Sequence, residues 1–276
     1  MPLPFPTSWL VPDWPAPLDV QAVFTSRACP VGDAPSAAPW NGFNLATHVG
    51  DSPQAVAAHR AALKAALGAR PVFLEQVHGC NVAILEEGAA DSLLADAAVT
   101  THPNLACTVM VADCLPVLLT LTNGAAVAAV HAGWRGLANG VIEAAVQTLR
   151  SLNQSNCLKA SAAYATHTTD LMAWLGPCIG PGSFEVGPEV RAAFMAASPE
   201  AAAGFVPLSS GKWLANLPAL ARQRLNALGV RVWGNDASSA WCTFSQPQRF
   251  YSYRAQAITG RMAACIFRHH GEPTTK

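Results

Sequence analysis

The chain has 276 residues, 51% of them hydrophobic and 12% charged, with 17 basic and 17 acidic side chains and a formal net charge of zero. Such a composition supplies apolar material for one large core and excludes a disordered chain. With no basic stripe or charge block, it also speaks against nucleic acid or an anionic membrane surface as a partner.

Residues 1–19 carry six prolines and two tryptophans and are expected to run extended over the surface as an N-terminal extension, leaving 20–276 as one domain. The opening Met1-Pro2-Leu3-Pro4-Phe5-Pro6 lacks the basic leader and apolar run of a signal peptide. No stretch reaches the roughly 18–20 apolar residues of a membrane span. The eight cysteines contain no Cys-x-x-Cys pair, and a cytoplasmic protein with mostly reduced thiols is expected.

A short strand is predicted over Gln21 to Arg27, followed by a loop from Pro30 to Gly50. Asp51-Ser52-Pro53 offers cap residues and then proline, which opens a helix, and Gly68 closes it. Val56, Leu63 and Leu67 form its apolar stripe. Arg60 falls on the same stripe, so it either meets a partner or ligand or snorkels past the leucines to solvent. Three strands follow: Val72-Phe73-Leu74 running toward His78, Leu105 to Ala112 stopping at Asp113-Cys114, and Ala125 to Val130 stopping at His131. Runs apolar on both faces indicate strands covered on both sides.

A helix is predicted over Gly136 to Leu149, with Leu137, Val141, Ala144, Ala145 and Thr148 on its stripe. Next come a strand at Met172 to Leu175, a glycine- and proline-rich turn over 176–182, and a helix from Gly187-Pro188 through Phe194. Leu214 to Leu228 reads as a third long helix ended by Gly229. Phe250 to Tyr253 and Met262 to Phe267 read as closing strands. There is no clear internal repeat or linker, so one domain is expected.

His78, Cys114 and His131 share a place in this pattern, each at the end of an apolar run and beside a turn. If the three strands are neighbours, their ends converge over a cleft. Two imidazoles and a thiolate suit Zn²⁺, and three protein ligands keep a fourth position for water, whose pKa zinc lowers toward about 7. The alternative is two satisfied histidines and a core cysteine, since the gaps of 36 and 17 residues contain no local metal motif. A Cys114–His131 nucleophilic dyad is a further reading. The stretch from Ala129 to Gly140 runs strand, glycine turn, helix. Such a junction turns backbone N–H groups and a positive helix end toward an anion, and Arg135 could add a bidentate phosphate contact. The other reading is a tight connection with a surface arginine. The stretch matches neither the Walker nor the Gly-x-Gly-x-x-Gly pattern.

Six blocks in order carry a family resemblance over nearly the whole chain: Asn44-Leu45-Ala46-Thr47-His48-Val49-Gly50-Asp51, Glu75-Gln76-Val77-His78-Gly79, Ala112-Asp113-Cys114-Leu115-Pro116-Val117, His131-Ala132-Gly133-Trp134-Arg135-Gly136, Leu175-Gly176-Pro177 with Ile179-Gly180, and Tyr251-Ser252-Tyr253-Arg254. The chain resembles the laccase-like multicopper polyphenol oxidoreductase family, whose members are also described as zinc-dependent purine nucleoside phosphorylases with adenosine deaminase activity. The resemblance implies an α+β fold of α/β layers, with mixed sheets packed together and helices outside. It implies His78, Cys114 and His131 as catalytic metal ligands, Asn44, Arg60 and Arg135 as substrate or phosphate contacts, and Gln76 and Asp113 as supports behind the ligands. The chain departs from the family at His59, where asparagine is usual, at Asn216-Leu217, where Asp-Leu is common, and at Ala255-Gln256-Ala257, where the family tends toward Arg-Asp-Gly.

The activity so implied is phosphorolysis of adenosine, inosine and S-methyl-5′-thioadenosine to free base and ribose 1-phosphate, with adenosine deamination, in a zinc enzyme whose partners are a purine nucleoside and phosphate. A copper polyphenol oxidoreductase is the alternative, because two His and one Cys also make a blue-copper set. Eight histidines without a His-x-His pair argue against a full multicopper centre. Zinc-dependent amide hydrolysis of peptidoglycan precursors and a metal-stabilised binding domain complete the readings. Oligomeric state is not encoded in any motif.

Overall fold

A computed structural model describes residues 5–30, 35–159 and 171–269, with side chains excepted at 155–159. The expectations for the first four residues, for 31–34 within the predicted loop, and for the last seven residues of the domain lie outside the described residues.

The core is two sheets packed face to face with helices on both outer faces, an α+β arrangement of mixed sheets in one domain. The first sheet contains β1 (Val20–Phe24), β2 (Arg70–Glu75), β4 (Leu93–Leu94), β6 (Leu105–Val111) and β14 (Met262–Arg268) in the order β1-β14-β6-β2-β4. The second contains β3 (Val82–Ile84), β5 (Ala97–Thr100), β7 (Leu115–Leu121), β8 (Val127–Ala132), β9 (Leu171–Leu175) and β13 (Arg231–Gly234) in the order β13-β9-β7-β8-β5-β3. A small third sheet joins β10 (Glu185–Val186), β11 (Phe205–Pro207) and β12 (Trp213–Ala215). β2 runs parallel to β6, and β6 antiparallel to β14.

Alternation within each strand explains why the runs look apolar throughout. Cys107, Val109 and Val111 of β6 face the second sheet, meeting Leu118, Val127 and Ala129. Ala106 and Met110 of the same strand face outward against Leu63 and Leu67 of α1 (Pro53–Leu67). The outer face of the second sheet packs on α2 (Trp134–Asn139), α3 (Val141–Lys159), α4 (Pro188–Ala197) and α5 (Leu217–Ala227). Both faces of each sheet are thus covered.

α1 forms where the capping signals put it. Ser52 accepts a hydrogen bond from the Ala55 N–H, and Gly68 closes the helix at φ 62°. Trp9, in the proline-rich stretch, is buried against Phe43. Other expectations need correction. The single helix over 136–149 is two helices, because Gly140 adopts φ 99° between them. Of the expected stripe, Leu137, Val141 and Ala145 are buried, joined by Ile142, Val146 and Leu149, while Ala144 and Thr148 are only half-buried. The helix from Leu214 begins at Leu217 instead, capped by the Asn216 side chain on the Ala219 N–H. Leu214 belongs to β12, where sheet pairing outweighs helical propensity. The 250–253 stretch is irregular, with Phe250, Tyr251 and Ser252 buried and Tyr253 exposed, and the Tyr251 hydroxyl donates to the Trp40 carbonyl at 2.7 Å. Among the described residues, no helix is long and apolar enough to cross a membrane.

Candidate metal centre and its pocket

The three sequence-selected donors come together, by a route different from three neighbouring strand ends. His78 lies in the segment after β2, in the first sheet. Cys114 sits on the turn that leaves β6 and enters β7, crossing from one sheet to the other. His131 lies within β8 of the second sheet, paired in register with Pro116, and does not follow the strand's end. The donors therefore converge at one end of the gap between the sheets. One ligand atom from each lies within 4.8 Å of the others. Cys114 Sγ is 3.7 Å from His78 Nε2, and the two imidazoles meet edge to face at 4.7 Å between centroids.

Backbone strain marks the same place. His78 has φ 61° and Asp113 φ 94°, both left-handed, a conformation that costs a non-glycine residue energy and persists when its surroundings hold it. Those surroundings are visible. The Asp96 carboxylate, fully buried at the head of β5, accepts hydrogen bonds from the N–H groups of Val77 (3.2 Å), His78 (2.8 Å) and Gly79 (2.6 Å). It also takes His131 Nδ1 at 2.8 Å, which leaves Nε2 of that ring for a ligand. Burial alone would raise the Asp96 pKa, but the bonds from His131, Gly79 and His78 outweigh it and hold the carboxyl below its ordinary value. Burial likewise would raise the Cys114 thiol, but His131 and His78 bring it down to about 6. That direction favours the thiolate, which is the form that binds metal. Two nitrogens and a thiolate this close fit a borderline-soft divalent cation such as zinc.

Glycine is required here by contact. A Cβ on Gly133 would lie 2.7 Å from His78 Cδ2 and 3.0 Å from Cys114 Sγ, and one on Gly136 would lie 2.8 Å from the Gly79 carbonyl. The expected helix-end anion site is weaker than the sequence suggests, because α2 has only six residues and so carries little aligned dipole. Arg135 stacks its guanidinium 4.4 Å over the Trp134 ring.

The donors open onto a cavity of about 780 Å³, whose wall also includes Arg60, Arg135, Gln76 and Asp113. Arg60 does not reach solvent freely and, among the described residues, makes no salt bridge, although the Asp91 charge acts on it from a distance. It is half-buried, donates Nε to the Leu45 carbonyl at 2.9 Å and stacks 3.8 Å over Phe73. Gln76 exchanges two hydrogen bonds with the Met110 backbone, at 2.8 and 2.7 Å, extending the β2–β6 pairing past the end of β2. Asp113 touches neither histidine. Its carboxylate accepts from the Thr243 hydroxyl at 2.6 Å and the Arg254 N–H at 2.7 Å, fastening the far wall to the Cys114 turn. Asn44 is fully buried behind the wall. Its amide donates to Asp51, and its Oδ1 accepts from the N–H groups of Ala46 and Arg261. Asp96, His48 and Arg261 escaped the sequence reading. Asp96 had one signal, a carboxylate heading the apolar run Ala97-Ala98-Val99, where burial demands partners.

A family model described as multi-copper polyphenol oxidoreductase laccase matches residues 21–269. A purine nucleoside phosphorylase of Pseudomonas aeruginosa is 45% identical over 94% of this chain and 98% of its own length. A purine nucleoside phosphorylase of Escherichia coli is 42% identical over the same shares. A crystal structure of a Neisseria meningitidis protein superposes with a TM-score of 0.83 at 39% identity, covering 95% of this chain and all of that one.

Proposed function

The chain belongs to the multi-copper polyphenol oxidoreductase laccase family, and from that premise we propose that it is a zinc-dependent purine nucleoside phosphorylase with adenosine deaminase activity. Adenosine, inosine and S-methyl-5′-thioadenosine are the substrates assigned to it, residues 20–276 the catalytic unit, and the cytoplasm its compartment. One observation carries the reading: a single cavity joins the His78–Cys114–His131 donor group to arginines that make no salt bridge among the described residues. The names borne by relatives at 42–45% identity support the same reaction class.

In this reading His78, Cys114 and His131 hold the metal, His131 through Nε2. Zinc bound there supplies Lewis acidity toward an oxygen of substrate or water. Asp96 fixes the His131 tautomer and the His78 loop, as carboxylates behind metal-binding histidines do. Arg60 and Arg135 neutralise the incoming phosphate. Apolar groups on the wall, among them Met110, Phe184 and Leu217, offer the purine a dry surface. In phosphorolysis a phosphate oxygen bonds to ribose C1′ as the C1′–N9 bond breaks, its electron pair leaving with the base. In deamination a water oxygen bonds to purine C6 as the C6–N bond breaks, and the amino group leaves as ammonia.

Metal-loaded protein incubated with inosine and phosphate should release hypoxanthine and ribose 1-phosphate, and none without phosphate. Adenosine should yield inosine in phosphate-free buffer. Absence of phosphate-dependent base release from all three nucleosides would sink the phosphorylase reading. The donor set also favours a second reading, since two His and one Cys suit copper. Stoichiometric copper in the native protein together with phenol oxidation would put that reading first.

A further inference from the structure

Two guanidinium groups on the cavity wall, Arg60 and Arg261, take part in no salt bridge among the described residues. Both are half-buried, and both are fastened to the same short stretch of chain. Arg60 Nε donates to the Leu45 carbonyl at 2.9 Å. The Leu45 N–H donates to the Arg261 carbonyl at 3.3 Å, and the Arg261 N–H donates to Asn44 Oδ1 at 2.9 Å. Buried Asn44, tied in turn to Asp51 at 2.8 Å, thus sets the spacing of the two arginines.

Their remaining donors have no protein acceptor. Phe73 stacks beneath the Arg60 guanidinium at 3.8 Å and fixes its plane. Arg261 directs Nη1 to the carbonyls of Thr259 (3.0 Å) and Gly260 (3.1 Å). Among the described residues, that leaves both terminal nitrogens of Arg60, and Nε and Nη2 of Arg261, without a hydrogen bond. His48, three residues beyond Leu45, lines the same cavity. His48 is exposed to the cavity; partial desolvation first, then the charges of Arg261 and Arg60, shift its imidazole below its ordinary pKa, which disfavours a third cation there. Asp91 acts on Arg60, and Cys114 and Asp113 on Arg261, only from beyond salt-bridge distance; half-buried cations without a close counter-ion are costly, and a doubly charged oxyanion would offset two of them with bidentate bonds. Arg135 stands on α2 and shares none of these bonds.

We propose that Arg261 and His48 join Arg60 and Arg135 in the phosphate subsite of the cavity, with Arg261 and His48 as further binding residues and Asn44 as the residue that positions Arg261. The inference rests on the phosphorylase reading for its ligand, and its test separates the two. Metal-loaded protein is titrated with inorganic phosphate by calorimetry. Arg261→Gln should weaken binding roughly 10- to 100-fold, the scale of losing hydrogen bonds to a charged group. Arg261→Lys should keep part of the affinity, because the charge stays and the planar fork is lost. His48→Ala should weaken binding about fivefold, and inosine affinity without phosphate should stay within about twofold in all three. If Arg261→Gln does not fold, the other two variants carry the measurement. Wild-type phosphate affinity in the folded variants, with inosine turnover intact, would overturn the subsite and leave the phosphorylase reading standing. Arg261-dependent phosphate binding without any release of base would uphold the subsite and remove that reading.

Discussion

Asp96 has no exposed surface, yet its carboxylate accepts four hydrogen bonds, three from consecutive backbone N–H groups and one from His131. One side chain thereby holds the left-handed His78 loop and orients the His131 ring. Asp96→Asn keeps the size but brings an NH₂ group against donors, so at least one N–H loses its acceptor. The expected result is a loss of about 10- to 100-fold in zinc affinity, the range typical of residues behind metal ligands. Competition with a chromophoric chelator measures it. Unchanged affinity would mean that the His78 loop and the His131 ring keep their places without the carboxylate.

At the scale of elements, the segment from β8 into α2 combines a ligand, a close approach and a helix start within a few residues. Gly133 leaves room for His78 and Cys114 to approach, and a methyl group there would meet both within about 3 Å of its Cβ. Gly133→Ala should leave the circular dichroism spectrum in place while zinc occupancy falls and kcat/KM drops about 100-fold, as for a displacement of the reacting groups by about 1 Å. Retained stoichiometric zinc with full turnover would show that the strand can yield.

What could be read from sequence follows from how locally each feature is determined. α1 was legible to the residue because proline, a side-chain cap and a C-terminal glycine act within one turn. β2, β6 and β14 were legible because their burial on both faces leaves unbroken apolar runs. The strand at Leu214 depends on a partner strand, the cap at Gly140 is a local glycine signal that a continuous apolar stripe hides, and strands of two or three residues such as β3, β4 and β10 carry no readable period. The donor group was legible as three residue identities. Its geometry was not, because the turn at Cys114 crosses between two sheets, and no pattern along the chain encodes which strands belong to which sheet. His48 and Arg261 lie 213 positions apart in sequence and share a wall only because Asn44 and Leu45, just before His48, bond to the Arg261 backbone.

For the molecule as a whole, the donor group is a junction. His78 extends from the five-stranded sheet, His131 belongs to the six-stranded sheet, and Cys114 lies on the connection between them. A metal held by all three ties the two halves of the core together, and it can do so only in the folded state, where the donors are assembled. Binding to the native state alone stabilises by about 2.7 kcal/mol at a hundredfold excess over Kd. For a chain of this size that corresponds to a rise in Tm of about 5 °C. Chelator-treated protein titrated with zinc in a thermal melt should show this rise, saturating near one equivalent when the protein concentration exceeds Kd. Cys114→Ala removes the thiolate on the connecting turn and should flatten the response. The apo variant should melt close to the apo wild type, because Cys114 is only partly buried and, among the described residues, its thiol hydrogen-bonds to His78 and His131 alone. An equal zinc response in both proteins would locate the stabilising metal elsewhere on the chain, and no response in either would mean that the three donors do not act as one site.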